Sequence, residues 1–122
     1  MNIYQERLMD HYRHPRHRGI IENANFASGV HNPSCGDSVS VSGCIENGII
    51  TALAFDGVGC VISQATASML AEAVLQKTVE YALNFDKDAL IALVSVQCGP
   101  TRLKCVLLAL DALHGALNAQ QA

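Results

Sequence analysis

The chain predicts an α+β fold, a three-stranded antiparallel sheet with helices packed on one face, because strand-like patterning fills its first half and helical patterning follows. Three observations carry this expectation. From Ser38 the residues alternate, with Val39, Val41, Gly43 and Ile45 on one side and Ser38, Ser40, Ser42 and Cys44 on the other. Asn47-Gly48, the strongest hairpin signal in the chain, separates that run from Ile49–Phe55, which returns as its partner. Beyond Cys60 the segments are long, rich in Leu and Ala, and punctuated by helix caps and breakers.

Taken in order, residues 2–13 read as a helix with Ile3, Leu8 and Tyr12 near one face, ended by His14-Pro15 because the residue before proline avoids helical angles. Arg16–Asn25 reads as a polar connector, and with few core anchors residues 1–25 are expected to be mobile. Phe26–Val30 is a candidate short edge strand, and Asp56-Gly57-Val58-Gly59 is the turn that closes the sheet. Cys60 opens a helix of about five turns ending near Lys77, whose Ala65, Ala67, Ser68 and Ala71 permit close packing. A short helix over Val79–Leu83 follows. Asp86 is placed to cap a helix over 87–96, with Leu90, Ile91, Leu93 and Val94 among its apolar positions. Gly99-Pro100 breaks the chain before a last helix over Thr101–Asn118. No internal repeat, low-complexity tract or linker interrupts this, so residues 1–122 read as one domain.

The 122 residues are half hydrophobic yet contain no tryptophan, so the core must be aliphatic. No apolar run approaches the roughly 18 residues of a membrane span. The opening MNIYQERLMDHYRH is amphipathic with early acidic residues, unlike a signal peptide, which sets the expectation of a cytoplasmic protein with no membrane association. A formal charge of −3 argues against nucleic acid as a partner. Arg7, Arg13, Arg16 and Arg18 make up half of the eight Lys and Arg residues and are interleaved with His11, His14 and His17. This basic knot reads either as a solvated loop or as a docking patch for an acidic partner.

The candidate chemistry lies in the five cysteines, an odd number that disfavours a disulfide framework. No Cys-x-x-Cys pair is present, which excludes a zinc finger or a thioredoxin-like redox motif. Asn32-Pro33-Ser34-Cys35-Gly36-Asp37 sets a thiol and a carboxylate two residues apart on a turn. Pro33 fixes one dihedral there and Gly36 permits a positive one. Cys60 follows a Gly-Val-Gly turn at a helix start, where unpaired backbone N–H groups and the helix dipole favour a thiolate. Cys105 lies near the start of the last helix behind Arg102 and Lys104, cations that act in the same direction. Together these residues predict a site of three thiolates and one carboxylate, Cys35, Asp37, Cys60 and Cys105. Such a set matches tetrahedral zinc or the four protein ligands of a [2Fe–2S] cluster. The carboxylate is the harder ligand, so a cluster held partly by Asp37 would be looser than one held by four cysteines, as suits a protein that hands it on. Each thiol also has a plainer reading as a small buried hydrophobe. That reading is preferred for Cys44, which sits among serines, and for Cys98, which ends a helix, although Cys98 is close enough to Cys105 to remain an additional candidate. Lys104 is either a solvated helix charge or a cation offsetting an anionic site.

The succession LMDHYRHPRHRG, NPSCGD, DGVGCVISQATASM and TRLKC resembles the IscU/NifU N-terminal/SufU family of iron–sulfur assembly proteins over nearly the whole chain. The resemblance implies the α+β fold, a role in receiving iron and sulfur, and a ligand set falling on Cys35, Asp37, Cys60 and Cys105. Two features point to different branches. Lys104 stands where IscU-type scaffolds place a histidine, and a protonated lysine has no lone pair to offer a metal. Gly99-Pro100-Thr101-Arg102-Leu103 replaces the Leu-Pro-Pro-Val-Lys segment offered to an Hsp70-type chaperone, so chaperone docking is the family trait from which this chain departs furthest. Both points are SufU-like, as is the Ala-Ser-Met run after Cys60. SufU proteins, however, carry an insertion between the second and third cysteines, whereas Cys60 and Cys105 are only 45 positions apart here.

The resemblance therefore implies a non-enzymatic scaffold on which a [2Fe–2S] cluster is assembled and passed to apo iron–sulfur proteins. Sulfur would arrive as persulfide from a PLP-dependent cysteine desulfurase, with the acceptor among Cys35, Cys60 and Cys105. The alternative is a SufU-like sulfurtransferase partner of a desulfurase with zinc on the same four ligands. A structural zinc domain without transfer chemistry fits least, because structural sites have closely paired ligands and no carboxylate.

Overall fold

The computed structural model describes residues 3–32, 36–95 and 100–121. Among these described residues eight elements follow one another: α1 (Ile3–Arg13), β1 (Phe26–Asn32), β2 (Asp37–Glu46), β3 (Ile49–Val58), α2 (Val61–Val74), α3 (Val79–Asn84), α4 (Lys87–Val94) and α5 (Pro100–Gln121). The three strands form one antiparallel sheet in the order β1-β2-β3, as their alternation requires. Asn47 and Gly48 both take positive φ, 54° and 77°, which makes the β2–β3 connection a type I′ turn whose twist matches the strands.

Val39 and Val41 of β2, with Leu53 and Phe55 of β3, point to the face that carries α2 and α5. α2 is buried nearly all round, which explains both its apolar composition and its small residues: Ala65, Ala67, Ser68 and Ala71 are all buried between neighbouring elements. α5 crosses β1 and β2 and packs against α2, placing Leu113 and Leu117 in the same aliphatic core as Met69, Leu70 and Val74. The short helices α3 and α4 are capped by the Thr78 and Asp86 side chains, which accept from the N–H groups of Tyr81 and Ala89.

Several sequence expectations are corrected in detail. β1 runs on to Asn32 and β3 to Val58, because ladder pairing continues to Asn32↔Asp37 and Ser38↔Val58 through residues that read as turns. α2 stops at Val74 rather than near Lys77. Leu75 turns extended, and Gln76, at φ 68°, donates its N–H to the carbonyl of Ile50 on β3. α4 ends at Val94, with Ser95 in the left-handed conformation.

The larger correction concerns the N-terminal segment, which has many anchors, most of them polar. Among the described side chains of α1, Leu8 and His11 are buried while Tyr12 is exposed, and Ile3 lies outside them. The Ser68 hydroxyl on α2 accepts the Arg16 N–H at 2.8 Å and lies 2.8 Å from His11 Nδ1. The other ring nitrogen, Nε2, lies 3.8 Å from the Glu72 carboxylate, so the imidazole sits between the Ser68 hydroxyl and an acid on α2. Arg16 bridges Asp10 and Glu72, and its hydrogen bond to Asp10 holds that carboxyl below its ordinary range. The connector then runs along β3, where the Phe55 N–H and C=O pair with His17 O and Gly19 N. It crosses the sheet's outward face, where Ile21 N–H donates to the Ser42 hydroxyl and Asn25 pairs both ways with Ile45. The basic knot is accordingly an internal clasp as much as a solvated surface.

Candidate functional site

The three described members of the expected ligand set meet at one end of the sheet. Asp37 opens β2 and points inward beneath the helices, Cys60 is the N-cap residue of α2, and Cys105 projects from the second turn of α5. One ligand atom from each, a carboxylate oxygen and two sulfurs, lies within 4.8 Å of the others. Two ligand bonds of about 2.3 Å reach atoms at most about 4.6 Å apart, so a small side-chain adjustment brings all three to a shared ion. Cys35 and Cys98 lie outside the described residues.

The local chain explains each placement. Gly36, at φ 74°, takes the turn conformation that its lack of a side chain allows and delivers Asp37 to the strand. Asp37 is only 5% exposed, and its Oδ2 is buried with no hydrogen-bond partner among the described residues. A buried carboxylate oxygen without a donor is costly, and a cation is the partner that relieves the cost. The donor set and this orphaned oxygen therefore fit a bound metal.

Cys60 is exposed, has extended angles, φ −72° and ψ 170°, and caps no backbone N–H of the helix; its thiol donates instead to the Ser63 hydroxyl. Ser63, one turn on, donates to the Cys60 carbonyl at 3.1 Å, with its hydroxyl 3.8 Å from the Cys60 sulfur. Cys105 is only 6% exposed. One thiol thus faces solvent while the second thiol and the acid lie beneath it, an arrangement open on one side to an incoming group. Lys104 is exposed beside the buried Cys105. Gly59 is favoured by close approach, since a Cβ there would clash with Ser63 Oγ and lie 3.0 Å from Asp37 Cγ.

Cys44 is remote from this group. It faces outward from β2, its thiol 3.7 Å from the Asn23 carbonyl, seven residues from Asp37 and so roughly 23 Å along the strand. Sequence reasoning missed the supports of the site, namely Gln64, Ser63 and the connector residue Arg18. Gln64 Nε2 donates to the Gly59 carbonyl at 2.8 Å, and Gln64 Oε1 accepts from Arg18 Nη1 at 3.2 Å. Only the spacing of Ser63 and Gln64, three and four residues after Cys60 and so above it on the helix, could have signalled them.

A family model described as the NifU-like N terminal domain matches residues 3–122. The chain is 32% identical over 136 aligned positions to the zinc-dependent sulfurtransferase SufU of Bacillus subtilis strain 168, covering 98% of this chain and 92% of that protein. That alignment is longer than the chain's own 122 residues, so the relative carries residues with no counterpart here. Identity to the iron–sulfur cluster assembly scaffold protein IscU of Aquifex aeolicus strain VF5 is 36% over 118 positions, covering 94% of this chain and 74% of that one. Among solved structures, a candidate iron–sulfur cluster assembly scaffold for the SUF system from Fervidobacterium islandicum AW-1 superposes with a TM-score of 0.76. It is 31% identical, with 92% of this chain and 94% of that chain covered. No described helix is long and apolar enough to cross a membrane.

Proposed function

The chain belongs to the NifU-like N-terminal domain family, and from that premise we propose that it is a scaffold on which a [2Fe–2S] cluster is assembled and from which it is passed to apo iron–sulfur proteins. The observation that carries this reading is the meeting of Asp37, Cys60 and Cys105 within 4.8 Å, two of them buried and one exposed. Cys35, two residues before Asp37, is the proposed fourth ligand. The cluster is cargo here, and an exposed edge lets it leave as well as form. The hard carboxylate among soft sulfurs weakens the hold on the irons.

Sulfur is supplied by a cysteine desulfurase in persulfide form. A thiolate of the set attacks the outer sulfur, a new S–S bond forms on the scaffold, the donor's S–S bond breaks, and its thiolate leaves. Lys104 contributes a cation near an otherwise anionic site without competing as a ligand.

The SufU-like reading, with zinc on the same residues and transfer of sulfur alone, is favoured by Lys104 preceding Cys105 and by the coverage of the Bacillus subtilis relative. One experiment separates the two. Protein purified without oxygen is assayed for iron, zinc and acid-labile sulfide, then supplied with desulfurase, cysteine and ferrous iron. Visible charge-transfer bands and transfer to an apo-ferredoxin are the result expected of the scaffold. Tightly held zinc that accelerates the desulfurase without cluster formation would replace that reading with the sulfurtransferase one.

A further inference from the structure

We infer that Gln64 is the positioning residue of this site, bracing the Gly59–Cys60 turn against the connector so that the docked N-terminal segment sets where the Cys60 sulfur stands. The inference rests on Cys60 being a ligand, as proposed above, and adds a residue that acts through it.

The turn needs a brace. The β3 ladder ends at the Ser38↔Val58 pair, so Gly59 is the one residue of high conformational freedom between the strand and the ligand, and Cys60 has no capping bond of its own. Val58 is 71% exposed and offers the turn little packing. Ser63 and the helix backbone hold the Cys60 carbonyl, and the Gln64 side chain supplies the constraint on Gly59 from α2, a rigid element. Its amide N–H donates to the Gly59 carbonyl at 2.8 Å and its amide oxygen accepts from Arg18 at 3.2 Å. A carbonyl on one side and a guanidinium on the other allow only this orientation of the amide, so both ends are satisfied together or neither is.

The brace reaches both described ends of the site. Gly59 lies against the Asp37 carboxyl, and the next residue carries the sulfur, so a displaced Gly59 moves Cys60 and the floor under Asp37 at once. Arg18 is not adrift at the other end. Its neighbours His17 and Gly19 are bonded to the Phe55 backbone, and its guanidinium lies 3.7 Å from Asp56. Force applied to the connector, for instance by a protein docking on the exposed Arg18, is thereby transmitted through one side chain to a ligand-bearing turn. A scaffold that must load and unload gains a point at which its hold on Cys60 is released without unfolding the core.

Two variants test this. Gln64→Leu removes both bonds, whereas Gln64→Glu keeps an acceptor for Arg18 but sets a carboxylate oxygen against the Gly59 carbonyl. Backbone order parameters of Gly59 and Cys60 are measured by NMR in metal-free protein. Cobalt(II) affinity is read from sulfur-to-cobalt charge-transfer absorption, and Tm serves as the fold control. Both variants are expected to lower the order parameters of residues 59 and 60 from about 0.85 towards 0.6 while those of 65–74 stay unchanged. Cobalt affinity is expected to fall about 10-fold, the low end for groups that orient a ligand, with Tm within ~4 °C of the parent. A Gln64→Glu variant indistinguishable from the parent in order parameters and cobalt affinity would overturn the inference. Parent protein that binds no cobalt would instead contradict the ligand set, and the order parameters would then decide the brace by themselves.

Discussion

α2 is held by different forces on its two sides. Towards α5 and the sheet it presents Met69, Leu70 and Val74 to an aliphatic core that contains Leu113 and Leu117. Towards α1 and the connector it presents Ser68, Glu72 and Gln64 to His11, Arg16 and Arg18. The first interface is stabilised in proportion to apolar area and is indifferent to pH. The second has one core anchor, Leu8, and otherwise rests on a small set of directed bonds, each removable by one atom and some of them made by titratable groups. A change in the first interface is expected to affect the whole molecule, and a change in the second only the N-terminal segment and the turn it braces.

The largest effect expected of that contrast is in the core. Leu113→Ala creates a cavity at a fully buried position and is expected to destabilise the fold by about 2–5 kcal/mol, with all probes of unfolding moving together. Urea melts followed by circular dichroism and by an N-terminal probe check this, and transitions that separate would contradict a shared core. Ser68→Ala, by contrast, leaves His11 Nδ1 and the Arg16 N–H without their common partner, at a cost of about 1–3 kcal/mol. Hydrogen exchange should accelerate over residues 3–25 while α5 keeps its protection, and uniform acceleration would erase the distinction between the two sides.

The pH dependence follows from His11. Burial foremost, and then the Arg16 charge, lower its pKa below the ordinary 6.5, partly opposed by Glu72. The unfolded chain therefore takes up a proton near pH 6.5 that the folded protein refuses. Stability is fully present above that pH and falls as pH drops from about 6.5 towards the lowered value, below which this contribution stops changing. Urea midpoints at about pH 7.5 and about pH 5.5 should show the drop, and His11→Gln should flatten it. A drop that survives the substitution would assign the dependence to other groups. Smallest of all is the Arg18–Asp56 pair, 3.7 Å apart and solvent-exposed, whose removal by Asp56→Asn should alter stability by less than about 1 kcal/mol.

The same contrast marks what could be read from the residues in advance. Alternation in β2, the Asn47-Gly48 turn and the small residues of α2 are local signals of apolar burial, and they placed the sheet, the hairpin and the central helix correctly. Polar docking leaves no such period. His11 and Arg16 look like solvated charges until Ser68, more than fifty residues away, is known to lie beneath them. The end of α2 was missed for a related reason, since Gln76 leaves the helix to bond Ile50 in a distant strand. At the site, a thiol or acid at an element end pointed to Asp37, Cys60 and Cys105, whereas no sequence period reports that β2, α2 and α5 bring those ends within 4.8 Å of one another. Cys44 was set aside on its serine-rich face, and it does lie on the sheet's other side.

The shared-ion reading can be tested most directly by zinc-edge X-ray absorption on protein loaded with one equivalent of zinc. Three sulfurs at about 2.3 Å and one oxygen at about 2.0 Å are the expected shell, with sulfurs lost one at a time in Cys35→Ser, Cys60→Ser and Cys105→Ser and the oxygen altered in Asp37→Ala. A shell of nitrogen and oxygen alone, or one that these substitutions leave unchanged, would contradict it.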